Sequence, residues 1–131
     1  MALVKFGSLD FYKEVQSVAN DDSEFMTSSA GFTATFTFRI TDRLDELPPV
    51  FMRFDDGKVV EVRHLEADEK TDFSLEGPYD IWAQVSKGEL DGPTAIMTRQ
   101  MRFLGSMGTI MRYGKAFKRL LEIMTKVPVE Y

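Results

Sequence analysis

Methionine side chains are concentrated in the last third of this chain, where they could bind an apolar ligand. Five of the eight methionines lie between residues 97 and 124, together with Phe103, Phe117 and Leu121. A methionine side chain is unbranched and polarizable, so a wall of methionines can adapt to apolar ligands of different shapes. Because methionine also fills gaps in ordinary cores, the pattern leaves open both a ligand cavity and a plain hydrophobic core.

Residues capable of acid–base catalysis are few and are predicted at the surface. Asp55 and Asp56 precede Gly57 and are typical of a tight turn, and His64 lies on a predicted strand with Asp68 four residues further on. An isomerase of the ketosteroid isomerase type needs a carboxylate base inside its cavity. The sequence also lacks a glycine-rich phosphate loop and a nucleophile elbow. A non-catalytic protein is therefore favoured, and a small isomerase-like enzyme is the weaker alternative.

The length and composition predict one domain spanning residues 1–131, with 44% apolar residues. The absence of cysteine excludes a disulfide framework, and a single histidine gives little support for a zinc site. We therefore expect neither a metal nor a cofactor. The first residues are too short and polar for a signal peptide, and no apolar stretch is long enough to span a membrane. These features predict a cytoplasmic protein.

Charge is distributed unevenly along the chain, whose net charge is −5. Residues 1–98 hold nineteen acidic and nine basic side chains, whereas residues 99–131 hold two acidic and seven basic ones. The basic segment could contact anionic membranes or the phosphates of acyl-coenzyme A, or it could be a solvated helix face. The residues predicted for an anionic contact are Arg112, Lys115, Lys118 and Arg119. Nucleic acid is not expected, because no aromatic and basic stripe accompanies these cations.

Alternating apolar and polar residues predict the strands. From Phe32 to Thr41, phenylalanine, alanine and isoleucine face one side, while four threonines and one arginine face the other. A second strand follows Pro49, and Asp56 and Gly57 form a hairpin turn into a third strand, in which Val60 and Val62 share a face. The predicted strands are Phe32–Thr41, Val50–Phe54, Lys58–Leu65, a strand around Phe73 and Leu75, and Met101–Leu104.

Four helices are predicted from caps and from apolar spacing. The first runs from Ser8 to Ala19 and is capped by the serine, and two short helices begin at Pro78 and at Gly92. The last helix begins after Ser106 and continues without a break to Met124, with one apolar stripe. This order predicts a two-layer α+β domain, in which helices cover one face of a five-stranded, mainly antiparallel sheet.

Two neighbouring segments resemble the sterol carrier protein type 2 family. Gly88 to Met97 resembles that family's Gly-x-Leu-Asp turn and short helix, and Met101 to Gly105 resembles its apolar strand ending in glycine. The resemblance covers roughly residues 8–125. This chain has Gly105-Ser106 where the family often has Gly-Asp, and Arg99-Gln100 replaces the usual Gly-Lys. The resemblance implies a non-catalytic carrier with an apolar tunnel between sheet and helices for fatty acid, acyl-coenzyme A, phospholipid or sterol.

The apolar patterns and the resemblance together predict which side chains line the tunnel. They are Phe36, Phe38, Met52, Phe54, Trp82, Met97, Met101, Phe103, Met107, Ile110, Met111, Phe117, Leu121 and Met124. An interaction or accessory subunit, whose cavity is filled by its own side chains, is the main alternative. Pairing of two copies into a homodimer also remains open.

Overall fold

The structure, a computed structural model, describes residues 3–131 and contains the predicted elements with three additions. Its elements in chain order are β1 (Val4–Lys5), α1 (Leu9–Asp21), α2 (Ser23–Ser29), β2 (Ala34–Ile40), β3 (Val50–Asp55), β4 (Lys58–His64), β5 (Phe73–Gly77), α3 (Tyr79–Ser86), α4 (Gly92–Met97), β6 (Arg102–Leu104), α5 (Met107–Arg112), α6 (Gly114–Lys126) and β7 (Val129–Glu130). No helix within residues 3–131 has the length and hydropathy needed to cross a membrane.

The main sheet has five strands in the order β4-β3-β2-β5-β6. Three neighbouring pairs are antiparallel, and β2 with β5 is the parallel pair. The register places Phe36 of β2 between Met52 of β3 and Phe73 of β5. Apolar side chains of these central strands therefore point to one face, where the helices cover them, which confirms the predicted α+β class.

Short-range signals in the sequence produce the predicted caps and the hairpin. The Ser8 hydroxyl accepts a hydrogen bond from the N–H of Phe11 at 3.2 Å, at the start of α1. Asp56 and Gly57 have φ angles of 49° and 82°, as a two-residue hairpin turn requires. A side chain at position 57 would also come within 2.6 Å of the Ser29 carbonyl oxygen, so only glycine fits there.

A β-bulge changes which valines of β4 face the core. The register shifts between Arg53 and Phe54, so that Phe54 pairs with Val59 and Val60 is the extra residue. Val59 is buried and Val60 is exposed. The prediction that Val60 and Val62 share one face was wrong, because Val62 packs against the core and the bulge leaves Val60 exposed.

The predicted final helix is broken in two at Tyr113. Tyr113 has φ −107° and ψ 26°, ending α5 and preceding α6. Gly108 and Gly114 each lower the helix propensity of this region by about 1 kcal/mol relative to alanine, and the Tyr113 ring packs on Phe32 with centroids 5.0 Å apart. The prediction of one continuous helix was therefore wrong, and α5 can take a direction independent of α6.

The additional elements are α2 and the parallel pair of β1 and β7. The Asp22 carboxylate accepts a hydrogen bond from the N–H of Phe25 at 2.7 Å and so caps α2. In the small ladder, Val4 pairs with Val129 and joins the two ends of the described chain. These additions supply Phe25 to the helical layer and hold the end of α6 in place.

The outer strand β4 is protected by side chains of α1. Asn20 accepts a hydrogen bond from the Val59 N–H and donates one to the Val59 carbonyl, both at 2.9 Å. Gln16 donates a second hydrogen bond to the same carbonyl at 2.9 Å. The two side chains thus occupy backbone groups that an unprotected edge strand would offer to another chain.

Candidate functional site

The space between sheet and helices is filled mainly by aromatic side chains. Phe36, Phe38, Met52 and Phe54 project from β2 and β3 and are buried. The Phe36 ring lies parallel to the Phe38 ring, with centroids 5.4 Å apart, and contacts Phe54 edge-on at 5.9 Å. This continuous apolar wall follows from the alternation of β2, where every second residue faces the helices.

A small cavity, here called the interlayer cavity, remains between this wall and the helices. Its volume is about 20 Å³. It is lined by Phe25, Phe32, Phe36, Phe54, Ile110, Tyr113, Ala116, Phe117 and Leu120. That volume is about the space one water molecule needs, and the lining is apolar apart from the tyrosine, so an acyl chain requires side chains to move.

Phe117 and Ile110 lie between the interlayer cavity and a neighbouring surface groove. Both line the cavity and also line a surface groove of about 280 Å³, here called the methionine groove. The other residues of the methionine groove are Pro93, Ile96, Met97, Met111, Gly114 and Lys118. A ligand entering between the layers from this groove would therefore displace two side chains.

A second groove, here called the arginine groove, adjoins the methionine groove at Ile96. Its volume is about 410 Å³. Its lining consists of Ile96, Arg99, Met101, Arg102, Phe103 and Met107. The two grooves are neighbours over α4, β6, α5 and the start of α6, and both are lined by apolar side chains and by basic ones.

Three of the predicted tunnel methionines lie on the outer surface. The exposed fractions are 83% for Met97, 61% for Met107 and 78% for Met111. The prediction that these three methionines lie between the layers was wrong. Met97 lies at the end of α4, whose buried residues are Gly92 and Ala95, and the break at Tyr113 interrupts the helical stripe assumed for Met107 and Met111. Every residue of α5 is exposed or half-buried, so this helix lies over the domain with little packing.

Other predicted residues are buried away from the cavity or at its margin. Trp82 donates a hydrogen bond from its indole N–H to the Arg39 carbonyl at 3.1 Å, and Leu121 packs against Gly92. Phe38, Met52, Met101 and Met124 also belong to the surrounding core. Phe103 is half-buried and contacts Phe117 edge-on, with centroids 5.6 Å apart. Of the predicted residues, Phe36, Phe54, Ile110 and Phe117 are those that line the interlayer cavity.

The sequence predictions missed five residues that line the cavity. They are Phe25, Phe32, Tyr113, Ala116 and Leu120. Phe25 lies on α2, which was not predicted. Ala116, Leu120 and Ile123 follow the spacing of an inward face of α6. If a helix is taken to begin at Gly114, the sequence indicates this inward face of α6.

The four predicted cationic residues divide into two groups. Arg119 forms a bidentate pair with Asp22, with its Nη2 2.6 Å from Oδ2 and its Nε 3.1 Å from Oδ1. The hydrogen bonds from Arg119 and from the Phe25 N–H lower the pKa of Asp22 below its ordinary value. Arg119 is thus half-buried and joins α6 to the start of α2, contrary to the prediction that it is free for an anionic partner. Arg112, Lys115 and Lys118 are exposed and form no ion pair with any residue from 3 to 131.

The candidate acid–base residues have positions typical of surface structure. Asp56 accepts a hydrogen bond from the Gly31 N–H at 2.9 Å, and its own N–H donates to the Thr33 hydroxyl at 3.0 Å. His64 is exposed at the end of β4. Within the described residues, no group of three or more His, Cys, Asp or Glu side chains is arranged to hold a metal ion. The apolar cavity, rather than these side chains, is therefore the candidate site.

Solved structures show the same fold at low sequence identity. A crystal structure of sterol carrier protein 2 aligns with a TM-score of 0.83 and 16% identity, covering 94% of this chain and 99% of that one. The solution structure of a conserved hypothetical protein from Thermus thermophilus, described as possibly a sterol carrier protein, aligns with a TM-score of 0.80 and 15% identity, over 99% of this chain and 94% of that one. The apo form of sterol carrier protein 2 from Yarrowia lipolytica gives a TM-score of 0.55 and 15% identity, over 96% and 99%.

A comparison of the sequence with protein families assigns the chain to a family, which structural similarity at this low identity does not do alone. Among curated proteins, none matches the sequence significantly. The family model described as the SCP-2 sterol transfer family, however, matches residues 13–118, which include every strand of the main sheet and the start of α6. This match agrees with the resemblance seen between Gly88 and Gly105. The chain therefore belongs to the SCP-2 sterol transfer family.

Proposed function

We propose that this protein binds long-chain apolar lipids between its sheet and its helices and carries them without chemical change. Membership of the family supports lipid or sterol binding and transfer in general. The observation that carries the proposal is the apolar interlayer cavity, which shares Ile110 and Phe117 with the lining of an exposed groove. Fatty acid, acyl-coenzyme A, phospholipid and sterol are the ligand classes that such a lining suits.

Binding requires the interior to open. The closed cavity has about the volume of one water molecule, so the ligand takes space now occupied by the Phe117 ring and by α5. Movement of α5 costs little buried surface, because every one of its residues is exposed or half-buried. The side chain of Phe117 then turns toward the methionine groove, where Met97 and Met111 can reshape around it.

The hydrophobic effect supplies enough free energy for this opening. Burying an acyl chain gains about 0.8 kcal/mol per CH₂, so a dozen methylenes gain roughly 10 kcal/mol before ordering losses. Micromolar binding requires about 8 kcal/mol. The margin allows Phe117 and α5 to be displaced at modest cost, and we expect micromolar affinity.

A second candidate function is that of an interaction or accessory subunit with a self-filled interior. It is favoured by the small volume of the interlayer cavity, since side chains of the protein itself occupy most of the space between the layers. In that case the apolar residues around Phe117 contribute stability alone. The two functions differ in whether apolar ligands compete for the interior.

Displacement of a fluorescent fatty acid from delipidated protein tests the proposal. Folding of the delipidated sample is first verified by circular dichroism. We expect saturable binding of the probe and its displacement by at least one of the four ligand classes, with no change in the ligand recovered afterwards. If none displaces the probe or if the probe does not saturate, the carrier function is contradicted and the interaction subunit is favoured. If the recovered ligand has been chemically converted, the protein is an enzyme.

A further inference from the structure

The most exposed apolar residues of the structure surround the opening of the candidate site. Met97, Met107 and Met111 are the three most exposed large apolar side chains within residues 3–131. Met97 and Met111 line the methionine groove, and Met107 lines the arginine groove that adjoins it at Ile96. The three methionines therefore form one surface patch, here called the methionine patch, whose exposure to water is unfavourable.

The segment of the sequence that contains the methionine patch carries basic charges only. Residues 97–118 contain five basic side chains and no acidic one, although the whole chain has a net charge of −5. The five are Arg99, Arg102, Arg112, Lys115 and Lys118, and all are exposed. Arg99, Arg102 and Lys118 line the two grooves, and Arg112 follows Met111 in α5.

The three arginines among these cations differ from the other five arginines of the protein. Arg39, Arg53, Arg63 and Arg119 are each paired with a carboxylate, and Arg43 lies over the Tyr79 ring. By contrast, the cations beside the methionine patch make no ion pair in the part of the chain that the structure describes. Unpaired cations next to exposed apolar side chains complement a surface that has an anionic outer layer and an apolar interior.

We infer that the methionine patch and its five cations dock the protein on an anionic phospholipid bilayer. The methionines enter the boundary between head groups and acyl chains, while the cations remain at the level of the phosphates. Acidic side chains elsewhere in the chain oppose this weakly, because charges more than roughly 8 Å apart are screened at physiological salt. The role of this docking rests on the proposed function. A docked protein presents Ile110 and Phe117 to the bilayer, so a lipid reaches the cavity without crossing water.

A bilayer fits these observations better than a small anion does. A single phosphate needs donors that converge on one point, whereas these cations are distributed over the loop between α4 and β6, over β6, and over α5 and α6. The loosely packed α5 carries two of the three methionines, so it can follow an uneven lipid surface. Contact with the bilayer and movement of α5 away from the cavity would then occur together.

Vesicle sedimentation tests the electrostatic part of the inference. The vesicles contain either phosphatidylcholine alone or equal amounts of phosphatidylcholine and phosphatidylglycerol, with no other ligand added. We expect the protein to bind the mixed vesicles in low salt and to bind less as the salt concentration rises. The double variant Arg112→Gln, Lys115→Gln should bind them about 25-fold more weakly, at about fivefold per cation. The control Lys13→Gln, Lys70→Gln has the same charge change on exposed residues elsewhere and should bind like the parent.

The apolar part is tested by Met107→Ser, Met111→Ser. This variant should lose binding to mixed vesicles at a salt concentration where the parent retains part of it. The docking inference is overturned if the parent does not bind mixed vesicles, or if both double variants lower binding equally. It is also overturned if the methionine variant changes the molecular mass in solution and leaves vesicle binding intact, since the patch is then an interface between copies.

Fatty acid binding by the parent and the variants tests the proposed function separately from the docking inference. Binding of the fluorescent fatty acid without vesicles reports on the interlayer cavity alone. Arg112→Gln, Lys115→Gln should retain that binding while losing attachment to anionic vesicles. Absence of fatty acid binding in the parent contradicts the carrier function whatever the vesicles show. Intact fatty acid binding without vesicle attachment contradicts docking alone.

Discussion

The ring of Phe117 on α6 stacks on the ring of Phe36 on β2, with centroids 6.0 Å apart and planes inclined by 18°. This contact joins the helical layer to the sheet across the interlayer cavity. Phe117 also contacts Phe103 edge-on and lines the methionine groove outside. A single side chain therefore contributes to the core and to the barrier between the cavity and the surface.

Substitutions of Phe117 in opposite directions should change ligand binding in opposite directions. Phe117→Ala enlarges the cavity, so we expect tighter binding of bulky ligands such as sterols, together with a loss of about 3 kcal/mol of stability. Phe117→Trp fills the space, so bulky ligands should bind more weakly. Fluorescent displacement and thermal unfolding measure both effects. If the two variants change stability without altering ligand preference, Phe117 has a structural role only.

The helix α5 should be the least protected helix in hydrogen exchange. Its residues are exposed or half-buried, and Gly114 has no neighbouring atom within 4 Å of an added Cβ. We expect the amides of Thr109 to Arg112 to exchange fast in the free protein and to change their exchange rate when a fatty acid displaces α5. The amides of Leu120 to Met124 in α6 serve as the internal comparison. Equal protection of the two helices before and after ligand addition would argue against α5 as the moving element.

The Asp22–Arg119 pair should make the free energy of unfolding depend on pH. Since folding lowers the pKa of Asp22, the pair contributes stability above the ordinary value of 3.8, and this contribution is lost as the pH falls through the lower folded value. Asp22→Ala removes both the pair and the cap of α2 and should cost about 1–3 kcal/mol near neutral pH.

Asp22→Asn is the matched variant, because asparagine retains the cap but not the charge. The stabilities of the proteins are compared by chemical denaturation between about pH 3 and pH 7, roughly the range over which carboxyl groups titrate. We expect the asparagine variant to show a smaller loss of stability on acidification than the parent. If the stabilities of parent and variant fall equally as the pH is lowered, Arg119 does not stabilise the Asp22 carboxylate.

Asn20 should protect the sheet edge more than Gln16 does. Asn20→Ala leaves the Val59 N–H without its partner on an exposed edge, whereas Gln16→Ala leaves the Val59 carbonyl still bonded to Asn20. We expect Asn20→Ala to lose about 1–3 kcal/mol and to aggregate faster, and Gln16→Ala to lose less. Urea unfolding and light scattering provide the measurements. A larger effect of Gln16→Ala would mean that packing of α1, not the capped strand, stabilises this edge.

Local patterns predicted most of the fold, and the failures have physical causes. The alternation in β2, the Asp56-Gly57 turn and the caps at Ser8 and Ser106 depend on neighbouring residues, so the sequence contains their whole signal. The short ladder of β1 with β7 depends on pairing between residues at opposite ends of the sequence, and the bulge at Val60 depends on the register between β3 and β4. They could not be predicted from local periodicity.

Predictions of the candidate site depended on the continuity of one helix. Phe36 and Phe54 line the interlayer cavity, because the strand pattern decides which way they face. Met107 and Met111 were misplaced, because the stripe was extended across Tyr113. Arg119 was expected to be free, but its partner Asp22 lies 97 residues away in the chain. Long-range contacts of this kind require the tertiary structure.

The position of a bound acyl chain is the most direct test of the central claim. A fatty acid that carries a nitroxide on its chain broadens the NMR signals of nearby amides. Added to ¹⁵N-labelled, delipidated protein, it should broaden the amides of Phe36, Phe54 and Phe117 in a saturable manner, and unlabelled fatty acid should reverse the effect. Broadening confined to the outer sheet face or to the surface around Met97, or no saturable broadening at all, would contradict lipid binding between the layers.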